Sequence, residues 1–206
     1  MGKKSTYSFS FTAASLRLND TVKVAKAAFA NGISDFKEVR ESGVVFDSVT
    51  TQTSMREFRE IRNRLEYLTP TQMEILIDGD LISQKQIAFL AVCKYYNFIR
   101  DFTIDVLLDK LLVYSYKINE SDFNSFINNK IQTHPELEKF AESTLKKAKQ
   151  VMFLIYEQTG IINNATDKII QPQLLQPSVV NAISEEDPLW LKIFMMPDKD
   201  INLIKH

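Results

Sequence analysis

Apolar residues recur every three or four positions along most of the chain, which is the spacing that places them on one face of an α-helix. One such stripe comprises Phe58, Ile61, Leu65 and Leu68. Between residues 84 and 100 the apolar residues fall on most sides of a helix, as in a helix at the centre of a bundle. The pattern therefore predicts a mainly α protein built as a helical bundle.

Helix ends are indicated by side chains that cap free backbone N–H groups, by prolines at first helical positions and by glycines after last turns. Ser54 with Glu57, and Ser83 with Gln86, have the three-residue spacing of a capping box. The predicted helix starts are Asn19 or Asp20, Ser34, Ser54, Thr69–Pro70, Ser83, Asp101, Ser121 and His134–Pro135, and the predicted glycine stops are Gly32, Gly43 and Gly79.

Two segments depart from the helical pattern. Residues 44–53, VVFDSVTTQT, are rich in β-branched residues and predict a short strand. After Gly160, the segments Ile161-Ile162 and Lys168-Ile169-Ile170 flank the polar turn NNATD and predict a small β-hairpin. In a winged helix-turn-helix module, the recognition helix is followed directly by a hairpin called the wing, and the same order is predicted here. The predicted fold is a helical bundle with a C-terminal winged-helix-like segment.

The chain is long enough for one large domain or two small ones. It has 206 residues, of which 45% are hydrophobic, and so it can bury a substantial core. A boundary near Ile118–Glu120 predicts an N-terminal helical bundle of residues 1–118 and a C-terminal module of residues 119–206. His134–Pro135 is a second candidate boundary, and one continuous domain is the alternative to both.

Charge and cysteine content narrow the class of protein. The 25 basic and 26 acidic residues give a net charge of -1, whereas proteins that coat nucleic acid are usually much more basic. Contacts with phosphate must therefore come from local clusters and be modest and salt-sensitive. The single cysteine, Cys93, excludes a disulfide framework and indicates a reducing cytoplasm. The longest apolar run, Ile87–Cys93, is far below the roughly 20 residues that cross a bilayer, so no membrane contact is predicted.

Residues that would support catalysis are scarce. The two histidines stand before a proline and at the last position, while Cys93 lies in the most apolar helix, so no Cys–His or Ser–His pair is indicated. Neither of the common glycine-rich phosphate-binding motifs occurs. We therefore predict a protein that is not an enzyme and that uses no metal or cofactor.

The segment Ser143–Ile170 carries the clearest indication of function. Successive helical residues are turned by 100°, so Lys146, Lys147 and Gln150 fall on one side and Lys149 on its flank. These residues occupy the N-terminal half of the helix, the half through which recognition helices contact DNA. Free N–H groups and the helix dipole also attract phosphate there. The opposite, apolar side comprises Leu145, Ala148, Met152 and Ile155.

Each polar residue of this segment has a predicted contact with duplex DNA. The three lysines contact phosphates, and the Ser143 and Thr144 hydroxyls add polar contacts there. Gln150 can reach a base edge, and Lys168, across the hairpin turn, meets the DNA backbone as part of a wing. The alternative is a capped surface helix, with Ser143 as its cap, whose lysine face is simply solvated.

A second basic helix is a weaker candidate for contact with DNA. Arg56 and Arg59 point away from the apolar stripe of their helix. Glu60 can pair with Arg56 and Arg64 at i,i+4 spacing, which leaves little net field and favours a solvated face or a protein interface. The two basic helices would form one combined groove only if they lay side by side.

The N-terminus combines the basic residues Lys3 and Lys4 with the alternating aromatics Tyr7, Phe9 and Phe11. Lysine-bearing arms lie along DNA in some complexes. The alternative is an unstructured start followed by aromatic residues that pack on the bundle, which is common at chain termini.

The chain contains, in order, TQTSMREFREIRNRLEYL, Tyr95-Tyr96-x-Phe98-Ile99-x-Asp101-Phe102, Ser143-Thr144-x-x-Lys147, Gly160-x-Ile162 and LKIFMMPDKDI. This order, in a chain of about this length, resembles the BrxA family, a small component of bacterial BREX phage-defence systems. The resemblance spans nearly the whole chain. It lies in packing and capping patterns rather than in a catalytic signature.

The resemblance implies an all-helical, non-enzymatic, cytoplasmic protein. Such a protein works beside a methyltransferase, a phosphatase-like protein and ATPases in host-DNA methylation and phage exclusion, and DNA binding is associated with the family. The family has also carried an inner-membrane label, against which the hydropathy argues here.

Two functions are therefore expected. The first is a DNA-binding accessory subunit of a BREX complex, and the alternative is an adaptor that scaffolds other BREX proteins. An adaptor would dock through the Arg56–Tyr67 helix or through the Pro188–Ile204 segment, since Trp and Met are favoured at interfaces. The oligomeric state is left open. The C-terminal hydrophobic strip comprises Trp190, Ile193, Phe194, Met195 and Met196.

Overall fold

The computed structural model describes residues 6–31, 36–41 and 51–204, and their regular structure is helical. The helices are α1 (Leu18–Asn31), α2 (Phe36–Glu41), α3 (Thr51–Leu65), α4 (Pro70–Asp78), α5 (Leu81–Tyr95), α6 (Asn97–Phe102), α7 (Asp109–Leu112), α8 (Glu120–Ile131), α9 (Glu142–Thr159), α10 (Pro177–Ser184) and α11 (Asp198–Ile204). Short 3-10 turns occupy Ser10–Ala13, Pro135–Lys139 and Pro188–Phe194, and a π-helical turn occupies Thr103–Leu108. The predicted mainly α fold is confirmed.

Several sequence predictions fall outside the described residues. These are the basic residues Lys3 and Lys4, the helix signals Gly32, Ser34 and Gly43, and residues 44–50 of the predicted strand. The last part of that strand, residues 51–53, forms the first turn of α3 instead.

Helix α5 lies at the centre of the bundle, as its apolar character predicts. It packs against α1, α3, α4, α6, α9 and α10, and Ile87, Phe89 and Leu90 are completely buried. One connected core runs from Tyr7 to Ile201, so both halves of the chain contribute to it. The division at residues 118–119 stays a prediction.

The N-terminal aromatics are part of this core. Tyr7, Phe9 and Phe11 are buried, and the ring of Phe9 meets the ring of Phe98 edge-on with 4.8 Å between centroids. The Tyr7 hydroxyl donates to the Asp101 carboxylate at 2.6 Å. For these three aromatics the structure agrees with packing on the bundle and not with a free arm.

A buried arginine fastens the N-terminal segment to the bundle. The side chain of Arg64 donates to the Ser15 carbonyl at 2.7 Å, to the Ala14 carbonyl and to the Tyr96 hydroxyl at 3.3 Å. Tyr96 in turn donates to the Glu60 carboxylate at 2.5 Å. The predicted Glu60–Arg64 pairing along the helix surface is therefore replaced by a buried network between α3, Tyr96 and residues 14–15.

Helix starts were predicted correctly at Thr69–Pro70 and at His134–Pro135, where a 3-10 turn begins at Pro135, and were displaced at other sites. Thr69 and Gln72 form a reciprocal capping box at the start of α4, and Gly79 follows its end, as expected. At α5 the cap is Asp80, whose carboxylate accepts the Ser83 N–H at 2.7 Å. The Ser83 box is thus wrong because a stronger acidic cap stands three residues earlier.

The Ser54 box is also wrong, because α3 already begins at Thr51 and Ser54 is buried inside it. Helix α8 begins at Glu120 rather than Ser121, since the preceding residue, Asn119, donates its N–H to the Asp122 carboxylate at 2.6 Å. The long helix predicted for residues 84–100 breaks at Tyr96, which has an extended backbone.

The predicted β-hairpin is not confirmed. The winged-helix-like segment is therefore not confirmed either, because its wing was predicted to be this hairpin. Among the described residues, the segment contributes isolated antiparallel bridges, Ile162–Ile170 and Lys117–Ile169, and no strand. Hydrogen bonds from backbone N–H groups to Asn side chains explain part of the absence of a strand in this segment. The Asn163 side chain accepts the Ile169 N–H at 2.9 Å, and Asn164 accepts the Asp167 N–H at 2.7 Å. Such bonds take up donors that a longer ladder would use.

A buried ammonium group joins the C-terminal segment to the bundle. Lys94 on α5 donates to the Gln72 side chain at 2.9 Å and forms an ion pair with Glu186. Burial lowers the pKa of Lys94, against the opposing effect of Glu186. Within the parts of the chain that the structure describes, no helix combines the length and apolar character needed to cross a membrane.

Candidate nucleic-acid interface

Helix α9 divides into a core side and a polar side, as its sequence predicts. Ala148, Met152 and Ile155 are completely buried, and Leu145 is partly buried. The helix ends at Gly160, whose φ of 79° is readily adopted by glycine. The N-terminal end differs from the prediction: Ser143 lies in the first turn after Glu142, and the preceding Ala141 has no side chain that can cap.

A groove of about 890 Å³ runs between α8 and α9. Its floor contains the buried rings of Phe123 from α8 and Phe153 from α9. The remaining lining comprises Glu120, Asn124, Ile127 and Asn128 from α8, Glu142, Leu145, Lys146, Lys149 and Gln150 from α9, and Ala165 and Lys168 beyond them.

Four of the predicted DNA-binding residues meet in this groove: Lys146, Lys149, Gln150 and Lys168. Lys146 lies one turn of α9 before the adjacent residues Lys149 and Gln150. Lys168 is brought to them by the chain reversal after Gly160, and it has a left-handed backbone with φ 54°. Its ammonium lies 5.4 Å from the centre of the Phe153 ring, a favourable cation–π distance.

Lys149 is already paired within the groove. Its ammonium forms an ion pair with Glu120, the first residue of α8, and lies 5.3 Å from the centre of the Phe123 ring. The hydrogen bond from Lys149 lowers the pKa of the Glu120 carboxyl. The Glu120 side chain is 65% exposed, so water or a phosphate group can compete with it for the lysine.

The other predicted residues of α9 lie at the edge of the groove. Lys147 is exposed and donates to the Gln150 side chain at 3.4 Å. Ser143 is exposed and Thr144 is half-buried, both in the first turn. Neither hydroxyl lines the groove. Lys146 is exposed and has no ion-pair partner within the described residues, so it is the freest of the groove lysines.

Two further polar residues, Asn124 and Asn128, line the α8 wall and were not predicted from the sequence. The two residues lie one helical turn apart in the lining of the groove, and both are exposed. The i,i+4 spacing on the exposed face of α8 was a usable signal. It indicated no partner until the structure placed that face opposite the lysines of α9.

Arg56 and Arg59 do not join this site. They line a separate depression of about 540 Å³ on the outer face of α3, together with Met55 and Phe58. That depression shares no residue with the groove between α8 and α9. The combined patch that required two adjacent basic helices is therefore not formed by α3 and α9.

Comparison with known proteins identifies the family. Residues 5–187 match the sequence model of BrxA. The chain belongs to the BrxA family. A relative from Escherichia coli O9:H4 (strain HS), BREX protein BrxA, is 20% identical over 146 residues, which cover 69% of this chain and 68% of the relative. The resemblance seen in the sequence is thus confirmed.

A solved structure shows the same fold. The crystal structure of an uncharacterized protein from Magnetospirillum magneticum superposes with a TM-score of 0.79 at 18% identity. The superposition covers 93% of this BrxA-family chain and 99% of the other. At this identity the likeness concerns the fold alone.

The C-terminal strip expected to serve an adaptor is packed inward in this BrxA-family chain. Ile193, Phe194 and Met195 are buried, and Trp190 and Met196 are half-buried. Trp190 covers the buried ammonium of Lys94 with 5.8 Å between the ring centre and Nζ. Trp190 therefore helps to close the core, and of this strip Trp190 and Met196 keep part of their surface exposed.

Proposed function

We propose that this chain is a non-catalytic accessory component of a BREX system that contacts duplex DNA through the groove between α8 and α9. The observation that carries the proposal is the convergence of Lys146, Lys149, Gln150 and Lys168 on one groove. Three ammonium groups at one surface suit the phosphate backbone, which supplies most of the affinity of such complexes.

The charges in the groove set an expectation for binding strength. Three lysines face two acidic residues, Glu120 and Glu142, on the groove walls. The local excess is one positive charge, in a chain whose net charge is -1. Binding is therefore modest and salt-sensitive, and suited to one contact among several in an assembly.

The order of elements supports a winged-helix-like mode of contact. Helices α8 and α9 are followed by residues 161–163 and 168–171, and the second of these segments also bridges residues 116–118. In this mode α9 approaches the DNA, while Lys168 touches the backbone beside it. Ser143, Thr144 and Lys147 add contacts from the first turns of α9.

Asn124 and Asn128 extend the proposed interface onto α8. Asn carboxamides both donate and accept hydrogen bonds, and they commonly contact phosphates and base edges. We assign them to the wall of the groove that faces the lysines. No group of three or more metal-binding side chains occurs among the described residues, and we propose no cofactor and no catalysis.

The relative named BREX protein BrxA gives the proposal its setting. We infer that this chain works in the cytoplasm with other BREX proteins. The alternative function is an adaptor that scaffolds those proteins without DNA contact. The depression on α3 favours the adaptor function, because Met55 is 51% exposed there beside Arg56 and Arg59. Met and Arg are enriched at protein–protein interfaces.

The decisive experiment measures binding of a labelled duplex by fluorescence anisotropy over a range of salt concentrations. We expect Lys146→Ala with Lys147→Ala to weaken binding on every duplex sequence. The slope of log K against log salt should flatten by about 0.9 for each phosphate that the variant no longer neutralises. Lys26→Ala with Lys199→Ala, which removes the same charge from exposed positions outside the groove, is the matched control and should leave the slope unchanged.

Unchanged retention of duplex DNA at low salt by the Lys146/Lys147 variant would rule out this interface. If neither the wild type nor the variants bind duplex, while Arg56→Ala with Arg59→Ala abolishes binding of a purified BREX partner, the adaptor function replaces the proposal.

A further inference from the structure

Helix α7 ends in a Schellman motif whose left-handed position is occupied by a tyrosine. The Tyr114 N–H donates to the Leu111 carbonyl at 3.0 Å, and the Ser115 N–H donates to the Lys110 carbonyl at 2.8 Å. Tyr114 has φ 57°. Glycine usually occupies this position, because the Cβ of any other residue crowds a carbonyl oxygen there.

Helix α9 ends in the same motif with the usual residue. The Gly160 N–H donates to the Glu157 carbonyl at 3.0 Å, and the Ile161 N–H donates to the Tyr156 carbonyl at 2.8 Å. Gly160 has φ 79°. The left-handed backbone is therefore unstrained at the end of α9, where the residue is a glycine, and strained at the end of α7, where the residue is a tyrosine. The Tyr114 ring is 80% exposed, so burial of the ring within this chain does not offset the strain.

The exposed tyrosine belongs to a larger apolar patch. Leu112 is 51% exposed, Val113 71% and Tyr116 38%. Ile169, 38% exposed, lies opposite Lys117 across an antiparallel bridge. We call residues 112–114, Tyr116 and Ile169 the α7 patch. Soluble proteins commonly expose single apolar residues, whereas a group of neighbours marks an interaction surface.

The α7 patch borders an open backbone edge. The Ile118 N–H donates to the Lys168 carbonyl at 3.0 Å, and the Ile170 N–H donates to the Tyr116 carbonyl at 2.8 Å. In this antiparallel pattern Lys117, which stands between the two bonds, turns its own N–H and C=O to the opposite side. Neither group has a backbone partner within the described residues.

We propose that the α7 patch and the Lys117 edge bind an extended segment of another polypeptide, which adds a strand through the free N–H and C=O of Lys117. Such strand addition combines backbone hydrogen bonds with contacts to alternate side chains. The bound segment carries an acidic residue opposite Lys117 and aliphatic or aromatic residues against Tyr114 and Val113. None of the residues of the α7 patch lines the groove of the DNA-binding proposal, although Ile169 directly follows Lys168 of that groove.

The charge of Lys117 decides between a second copy of this chain and a different partner. Antiparallel pairing of two copies at this edge places Lys117 opposite Lys117, and like charges in that position repel. Lysine on an edge is a common means of preventing such self-pairing. A different chain that places a carboxylate there gains an ion pair instead.

The test uses the full chain and two synthetic peptides, acetyl-Val-Thr-Val-Glu-Val-Thr-Val-amide and the same peptide with Lys at the centre. In NMR titrations we expect the Glu peptide to shift the Lys117 amide resonance and to slow its hydrogen exchange. The Lys peptide should bind at least fivefold more weakly. A Glu peptide with a methylated central nitrogen tests the backbone bond and should also bind weakly.

The variant Tyr114→Gly separates the functional role from a structural one. Removal of the strain should raise Tm by about 2–4 °C, while removal of the ring weakens the Glu peptide at least fivefold. Duplex binding should stay unchanged. Leu203→Ala, at an exposed apolar position outside the α7 patch, should leave peptide binding intact.

Three results would overturn the inference. The first is a Tyr114→Gly variant that binds the Glu peptide as well as the wild type, or that has a lower Tm. The second is equal binding of the Glu and Lys peptides. The third is a wild-type dimer in light scattering that Lys117→Glu abolishes, which would assign the edge to a second copy.

Discussion

Lys149 on α9 and Glu120 on α8 form an ion pair across the groove between the two helices. The two residues are 29 positions apart in the sequence, and the pair joins the two helical walls of the proposed interface. A phosphate group entering the groove would compete with this carboxylate for the lysine.

We therefore expect Glu120→Gln to strengthen binding of duplex DNA. The change frees Lys149 and removes a negative charge beside the phosphate path, so affinity should rise about two- to fivefold at low salt, in keeping with the modest strength of exposed pairs. Anisotropy titrations measure the effect. Glu138→Gln, an exposed position with the same charge change outside the groove, should have no effect, and equal gains in both variants would indicate only a change in net charge.

Arg64 is expected to be a major determinant of stability. It is 1% exposed and donates to the backbone carbonyls of Ala14 and Ser15. Arg64→Met leaves these two carbonyls and the Tyr96 hydroxyl without the donor groups of the guanidinium, so the free energy of unfolding should fall by about 3–5 kcal/mol. Urea denaturation measures the loss.

Arg62→Met on the same helix is the matched control for Arg64→Met. The pair between Arg62 and Glu66 is 3.2 Å long, and both side chains are about half exposed. Pairs of this kind contribute about 0–1 kcal/mol, so the control should change stability little. Similar losses in the two variants would contradict a special role for the buried arginine.

Tyr96 is expected to make the fold sensitive to alkaline pH. Burial raises its pKa above the usual 10.0, and the hydrogen bond to Glu60 acts in the same direction. Because the folded-state pKa is raised, the stabilisation is complete below pH 10 and is lost as pH rises above the unfolded-state pKa. Stability of the wild type should therefore decline from about pH 10 upward.

The variant Tyr96→Phe isolates this contribution. It should be less stable than the wild type at pH 8, because it lacks the bond to Glu60. Its stability should fall less steeply above pH 10, so the two urea midpoints converge there. Parallel curves up to pH 11 would assign the alkaline sensitivity to other groups, such as Tyr7, whose pKa burial also raises.

The helical parts of the fold were predictable because their signals are local. The Thr69–Pro70 start and the Gly79 stop of α4 were predicted correctly, since capping depends on residues three positions apart. The capping box at Ser83 failed because Asp80 caps α5 instead, and the box at Ser54 failed because α3 already begins at Thr51. Choosing between two neighbouring caps requires the packing of the whole helix, which local spacing does not contain.

The proposed interface was half predictable. The angular pattern of α9 separated its buried stripe from Lys146, Lys149 and Gln150, and the order of segments placed Lys168 nearby. The opposite wall with Asn124 and Asn128 was not predicted, and Arg56 and Arg59 were included although they lie on another face. Which polar faces meet depends on how distant helices pack.

The amino-acid sequence by itself determined the helical class, the central place of α5, the two sides of α9 and membership in the BrxA family, because each follows from periodicity or order along the chain. Only the tertiary structure decided that Arg64 is buried and that Glu120 forms an ion pair with Lys149. It also decided that the side chain of Tyr114 is exposed while its backbone has a strained, left-handed conformation. These features arise from contacts between residues far apart in the chain, or from the backbone conformation that such contacts impose.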